Sequence, residues 1–545
     1  MRASYPADVP RAVTPPDPRG ALMAPDDARA WRHALWIILV AALVRLCFAA
    51  WLPLFPDETY YWDWSRQLAG GYFDHPPMIA VLIRLGVEPL GPAQHGAVMV
   101  RFFPVIAGAL ASLATAGIAR RLGGGTAART AAIVLAVMPL VATGLVLATP
   151  DAPLLAATAA GLYAVVRALQ SPVGSRSSLA WWAAAGVALG LAFASKYTGI
   201  LLPVSVSIAV LLRPSLRARL REPGPWVACL VATVVFLPVL LWNAEHDWTS
   251  FRFQLQHGLG TTPRGSPLTR ELDLLGGQLG LVSPIIFALL AYAVWGHLRR
   301  TADDVRFTLA VVATVSWAFF LYSATRKSVE ANWPAPSYVP AVALLAAWSA
   351  TPHTWLRRGV VLAAVLVGII YLHALVPFLP IPPRKDPIAR GAGWERVAAQ
   401  VGEARASLGG GHAAPGDPYA LRSVEGGRSW IGADRYQDVS QLAFHASAPG
   451  RGPEPAFCMC FTGRSNQYAL WPSFPQRARP GDALVLVLDD TGGETHGTAA
   501  RVAEHFTSVR RGALAPLMRG RDTVSVRRLW ILEGYRGGWP PRAAP

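Results

Sequence analysis

Long apolar runs separated by short polar stretches recur along the chain as far as Pro377, and the pattern then stops. A helix rises about 1.5 Å per residue and a bilayer's hydrocarbon core is about 30 Å thick, so one crossing needs roughly 20 apolar residues. About eleven runs reach or approach that length: Trp31–Phe55, Ala97–Ala119, Ala127–Ala148, Ala152–Leu169, Leu179–Ala194, Thr198–Leu212, Trp226–Trp242, Leu274–Trp295, Phe307–Ser323, Ala335–Ser349 and Gly359–Pro377. Beyond Pro380 the chain turns Gly-, Arg- and polar-rich, with strand-like stretches at Asp482–Asp490 and Ser525–Tyr535. The pattern predicts a polytopic α-helical membrane protein with about 11 spans and a small C-terminal extracytoplasmic α/β domain. Its expected divisions are a disordered cytoplasmic lead over 1–30, a transmembrane domain over 31–379 with a first outer loop at 56–96, and the external domain over 380–545.

Composition agrees with this reading. Hydrophobic residues make up 53% of the 545 and charged residues 15%, against about 25% charged in soluble domains. Residues 1–30 lack a signal peptide's apolar centre, so Trp31–Phe55 is expected to remain as an anchor. No internal repeat is visible, which gives no support to a transporter built from duplicated halves.

The formal charge of +17 suggests nucleic acid until the cations are located. Nineteen Lys and Arg fall in six alternate segments at span ends, and eight in the opposite segments. Basic residues near span ends stay in the cytoplasm, so the N-terminus is expected inside and everything after about Pro380 outside. This predicts a multi-pass protein of a bacterial inner membrane with no nucleic-acid partner.

The unusual residues collect on the predicted outer face. Asp57 and Glu58 follow the first span, with aromatics Tyr60, Tyr61, Trp62 and Trp64 behind them, and Asp74 and His75 precede Pro76 and Pro77. Carboxylates at a membrane border are costly unless solvated or paired. An ionised carboxylate beside a reacting hydroxyl is also what a general base requires. Asp57 could equally cap the helix that begins at Glu58, with the aromatics as an interfacial belt.

Other outer turns add Asp151, then Lys196 and Tyr197, then Arg326, Lys327, Glu330 and Asn332 with Trp333. Cations there suit a lipid-linked phosphate, with Lys as a point charge and Arg as a fork. Lys196 alone would read as a snorkelling side chain; its joint occurrence with the acids favours a site. Arg45 and Arg101 lie inside spans, where snorkelling is the default reading, and Arg101 could instead pair with Asp57 or Asp74. No metal motif is present, and no cofactor is expected. Cys458 and Cys460 read as free thiols or as partners of a distant cysteine, and Cys47 and Cys229 as core residues.

The first-loop Asp-Glu pair, FDHPP (Phe73–Pro77), TPDAPLL (Thr149–Leu155), SKYTG (Ser195–Gly199) and VEANWPAP (Val329–Pro336) together resemble the C-type glycosyltransferase superfamily. The resemblance is to bacterial members related to protein O-mannosyltransferases and to the lipid A aminoarabinose and galacturonic acid transferases. It covers roughly Trp31–Pro377, and the tail segments Asp434–His445 and Asn466–Trp471 look like the C-terminal part of the same subgroup.

The resemblance implies an inverting transferase that moves a sugar from a polyprenyl-phosphate donor to an envelope acceptor hydroxyl on lipid A or its core, a glycan or a protein. Asp57 matches the acid taken as catalytic base, with Glu58 as its partner. Asp74 and His75 match a pair that reads Glu-Lys in lipid A transferases, so His75 replaces a permanent cation. Lys196 matches a basic residue near the donor phosphate, a task Arg326 or Lys327 would share; Asp74 and Glu330 would hold sugar or acceptor hydroxyls.

Two other classes fit outward-facing charge: a transporter or flippase for a lipid-linked or anionic substrate, and a non-catalytic glycan-binding subunit. The bias of the candidates to one face, and the external domain beside them, favour surface chemistry over transport.

Overall fold

The computed structural model describes residues 25–90, 96–260, 265–408, 413–414, 417–422, 428–446, 455–461, 464–491 and 496–540. Residues 1–24 of the expected lead lie outside them. Helix α1 (Pro25–Trp51) begins six residues before the expected first span, with Asp26 and Asp27 in its first turn, where the helix dipole favours acids. A short helix α2 (Pro56–Arg66) and α3 (Met78–Val87) follow. Then come α4 (Ala97–Val137), α5 (Asp151–Gln170), α6 (Arg176–Ser195), α7 (Leu201–Leu212) and α8 (Pro223–Glu245).

After α8 the chain forms α9 (Thr249–Leu259), α10 (Pro267–Val282), α11 (Pro284–Arg300), α12 (Asp304–Arg326), α13 (Ala335–Ala346) and α14 (His353–Leu375). Seven of these helices are long and apolar enough to cross a membrane, or nine if each of two bent pairs is one crossing. At 1.5 Å per residue, the 41 residues of α4 would run about 60 Å, twice a bilayer core. The helix breaks at Gly123 and Gly124, where Gly124 takes φ 75°, so the two runs expected there are separate rods.

The expected span Leu274–Trp295 is broken in the middle. It is two helices, α10 and α11, meeting at 104°. Pro284 lacks the N–H to continue α10 and disfavours helical geometry at Ser283, which takes φ 78°.

Large apolar side chains point outward along the bundle. On α8, Trp226, Leu230, Val234, Leu237 and Leu241 form an exposed stripe at helical spacing. Stripes of this kind on several helices exceed what water tolerates, which marks a lipid-facing surface. Cys47 and Cys229 belong to this outer surface, not the core.

The two ends of the bundle differ in charge. At one end Asp27 accepts from Arg120, Arg306 donates to the Leu122 carbonyl, Arg213 meets Asp304, and Arg219 meets Glu222. These contacts join four of the six basic segments of the sequence pattern. The opposite end carries the C-terminal sheet.

That sheet contains two short strands β1 (Ala413–Ala414) and β2 (Asp417–Arg422), then β3 (Arg428–Ala433), β4 (Ala456–Cys458), β5 (Ala483–Asp489), β6 (Phe506–Arg519) and β7 (Asp522–Tyr535). The order is β1-β2-β3-β5-β7-β6, with β4 also pairing β3. The β3–β5 and β3–β4 pairs are parallel, whereas β5–β7 and β6–β7 are antiparallel. Both expected strands are present, and the continuous apolar run of β5 is buried on both faces.

Helices α15 (Trp394–Ser407) and α16 (Tyr436–His445) cover one face, and one apolar cluster continues from them into α2 and α3. Trp62 and Trp64 are fully buried in this seam. At roughly 25 cal/mol per Å² over 150–250 Å² of aromatic surface, each contributes several kcal/mol to docking. They therefore serve as a joint between bundle and sheet, not as the expected interfacial belt.

Candidate active site

Four hydrogen bonds to one carboxylate assemble the site. Glu58 Oε1 accepts from Arg101 Nε at 2.7 Å and from the Ala148 N–H at 2.7 Å; Oε2 accepts from Arg101 Nη2 at 2.5 Å and from the Phe55 N–H at 2.9 Å. Arg101 spends its other donors on the carbonyls of Ala49, Leu52 and Pro53. The expected pairing of Arg101 with Asp57 or Asp74 is thus corrected: its partner is Glu58, and neither side chain reaches the cavity. By fastening α2 to the end of α4 and to Ala148, Glu58 brings Asp57 and the Thr149–Pro150–Asp151 turn to one place.

Those residues line a cavity of about 720 Å³. Of the twelve residues expected at the site, Asp57, Asp74, His75, Asp151, Lys196, Tyr197, Glu330 and Asn332 line it. Lys327 stands at its edge, with Nζ 3.2 Å from His257 Nδ1. Arg326 lies outside the lining, its Nη1 3.5 Å from the Tyr322 hydroxyl. The wall is polar at the sheet end and becomes apolar between the helices, through Phe193, Leu201, Phe236, Phe319 and Phe320.

Asp57 opens onto the cavity, and the Tyr436 hydroxyl donates to its Oδ1 at 3.3 Å. Burial among protein groups pushes the Asp57 carboxyl above the usual carboxylate range; nearby Asp74 acts in the same direction, while Tyr436, Arg464 and Arg390 pull it back. Asp74 is more enclosed. It accepts from the Tyr60 hydroxyl at 2.7 Å and from Arg464, its backbone carbonyl accepts from Gln254, and burial raises its carboxyl as well.

Burial and the charges of Lys196 and Arg464 hold His75 well below the ordinary histidine range, and its buried Nδ1 has no hydrogen-bond partner among the described residues. His257 is pushed down to about 4 by burial and Lys327. The loop carrying Asp74 and His75 is seated by Gly70, where a Cβ would meet the Pro238 carbonyl oxygen at 2.5 Å.

Lys196 Nζ donates to Asp151 Oδ1 at 2.7 Å, and Asn332 Nδ2 donates to Asp151 Oδ2 at 2.6 Å. Asp151 therefore fixes both, and the ammonium stands over the Trp333 ring at 5.9 Å. The Tyr197 hydroxyl donates to Ser250 and accepts from Asn243, so this residue shapes the wall.

Several lining residues were not foreseen from the sequence: Arg390, Tyr436 and Arg464 from the part after α14, and Gln254 and His257 on α9. Tyr436 and Arg464 lie in or beside two tail segments noted for their resemblance, but no periodicity connects them to the first loop. Cys458 and Cys460 are disulfide-bonded to each other, which corrects the expected free thiols. No group of three or more potential metal ligands occurs among the described residues.

A helical bundle joined to a small sheet domain, with an acid-and-cation cavity open to an apolar groove, is the architecture of a membrane glycosyltransferase. A family model described as dolichyl-phosphate-mannose-protein mannosyltransferase matches residues 74–242. The lipid A galacturonosyltransferase RgtD of Rhizobium johnstonii is 32% identical over 357 residues, covering 65% of this chain and 72% of that protein. The chain belongs to that glycosyltransferase family, within the C-type superfamily. Crystal structures of ArnT from Cupriavidus metallidurans share the fold: the apo form at TM-score 0.62 over 92% of this chain and 98% of ArnT, and the form bound to undecaprenyl phosphate at 0.59 over 91% and 97%, both at 18% identity.

Proposed function

We propose that the protein transfers a sugar from a polyprenyl-phosphate donor to a hydroxyl of a lipid A-type glycolipid, with inversion, on the outer face of a bacterial inner membrane. The observation that carries this reading is a single cavity that combines Asp57 with Lys196 and runs into an apolar groove. The polyprenyl tail lies in the groove while the headgroup reaches the charged end. RgtD supplies the acceptor class by its name, and the ArnT structure with undecaprenyl phosphate supports the donor.

In the proposed step the acceptor oxygen attacks the anomeric carbon opposite the phosphate. Asp57 takes the acceptor proton, the new glycosidic C–O bond forms, and the bond from the anomeric carbon to the phosphate oxygen breaks. Polyprenyl phosphate leaves as a stable anion. Lys196, already oriented by Asp151, shares its charge with that anion, and Lys327 adds to the field at the edge. His75, held below the ordinary histidine range by burial, would supply a hydrogen bond where a permanent cation would supply charge. Asp74 and Glu330 hold hydroxyls, and Glu58 and Arg101 act as positioning residues.

The orientation that fits has about eleven crossings, the Arg-rich end in the cytoplasm, and the cavity and sheet outside, in agreement with the basic-residue rule. Mass spectrometry of envelope glycolipids from a deletion strain tests the assignment. Loss of one sugar mass from the lipid A fraction, restored by the wild-type chain and not by Asp57→Asn, is expected; an unchanged glycolipid profile contradicts it.

A further inference from the structure

Two guanidinium groups in the cavity remain without a role in the transfer step. Arg390 stands on the turn Pro387–Gly391, which Asp386 caps by accepting from the Ile388 N–H at 2.9 Å. The turn is seated on the end of α1, since a Cβ on Gly391 would meet the Leu54 carbonyl oxygen at 2.5 Å. Arg390 itself is exposed toward the cavity and has no hydrogen bond or ion pair among the described residues.

Arg464 is held differently. Its guanidinium lies 5.0 Å from the Phe253 ring and 5.2 Å from the Tyr436 ring, and Nη1 donates to Asp74 and to the Ser465 carbonyl. The side chain keeps 43% exposure, so part of the fork faces open space. Rings on a guanidinium reduce the freedom it loses on binding, and a planar fork matches the oxygens of phosphate or carboxylate. Tyr436, which packs on Arg464, also donates to Asp57. The Arg464 fork and the proposed base are therefore linked by one tyrosine, and the charge of Arg390 acts on the same carboxylate.

We propose that Arg390 and Arg464 bind an oxyanion, a phosphate or a carboxylate, carried by the acceptor next to the hydroxyl that Asp57 deprotonates. The inference rests on Asp57 being the base. It adds a substrate class to that reading: the acceptor is an anionic glycolipid, and the part of the chain after α14 selects it. The donor phosphate has its own cations in Lys196 and Lys327, which come from other parts of the chain. A purely solvated Arg390 would give no such selection, because a surface cation facing water is indifferent to the acceptor's charge.

The test uses the full-length chain in detergent and three acceptors: lipid A with its phosphates, the same lipid A dephosphorylated, and dephosphorylated lipid A bearing a carboxylated sugar. Equilibrium binding is measured first, because it needs no turnover, followed by KM for acceptor and donor. Wild type should bind at least one anionic acceptor tenfold or more tighter than the dephosphorylated one, and the arm that shows this identifies the oxyanion. Arg390→Gln should abolish that preference while changing binding of the dephosphorylated acceptor and donor KM less than twofold. Among the described residues Arg390 has no hydrogen-bond or ion-pair partner to lose, so a thermal midpoint equal to wild type is expected; Arg464→Gln serves as the second variant.

Equal wild-type binding of all three acceptors, equal weakening of all three by Arg390→Gln, or an effect confined to donor KM would each overturn the inference. Normal turnover by Asp57→Asn would instead remove the base assignment, and the binding data would report that failure separately.

Discussion

Arg101 and Glu58 close on each other through two hydrogen bonds, 2.7 Å from Nε to Oε1 and 2.5 Å from Nη2 to Oε2, with side chains 0% and 1% exposed. A pair this enclosed fits a role in setting geometry. Removing one partner of a buried ion pair costs about 3–5 kcal/mol, because the other charge is left uncompensated. Arg101→Met should therefore lower the thermal midpoint and the yield of folded protein, and the double variant with Glu58→Gln should recover part of the loss. Wild-type stability in the single variant would contradict this role.

Lys196 gives a different expectation. A hydrogen bond to a charged group contributes about 1.5–3 kcal/mol, so Lys196→Met should raise donor KM by about 10- to 150-fold and leave acceptor KM near wild type. Since Asp151 loses its cation in this variant, Asp151→Asn in the same chain controls for stability. An unchanged donor KM in a folded variant would exclude Lys196 from the phosphate site.

The pH profile should carry the mark of the carboxylates. Asp57 and Asp74 both sit above the usual carboxylate range through burial, and the charge of Asp74 adds to the rise of Asp57. Deprotonated Asp57 is the active form, so kcat/KM should rise with pH through an acid limb above the ordinary aspartate value and then level off. His75 lies well below the normal histidine range and His257 at about 4, so neither should add an inflection near 6.5. Activity that rises on acidification would contradict the base assignment.

The first-loop acids, the Asp151 turn and Lys196 were legible in the sequence because span alternation alone brings those turns to one end of the bundle. Distances within that end were not legible. Glu58 looked equivalent to Asp57, but a helix turns about 100° per residue, so adjacent acids face different neighbours: one opens to the cavity and the other meets Arg101. Trp62 and Trp64 were indistinguishable from a membrane belt until the sheet that covers them was placed. Arg390 and Arg464 were hidden among the many arginines of the tail, since their position depends on how the sheet docks, which no local pattern encodes. The α10–α11 bend was signalled by Pro284, but the apolar character of both halves concealed it.

Removal of the acceptor proton by Asp57 is tested by Asp57→Asn. The substitution keeps the shape and can still accept from Tyr436. Single-turnover transfer from a polyprenyl-phosphate sugar to lipid A, measured with the thermal midpoint as a control, should fall by about 10²–10⁴-fold with little change in stability. A folded Asp57→Asn protein that transfers at a rate near wild type would contradict the account.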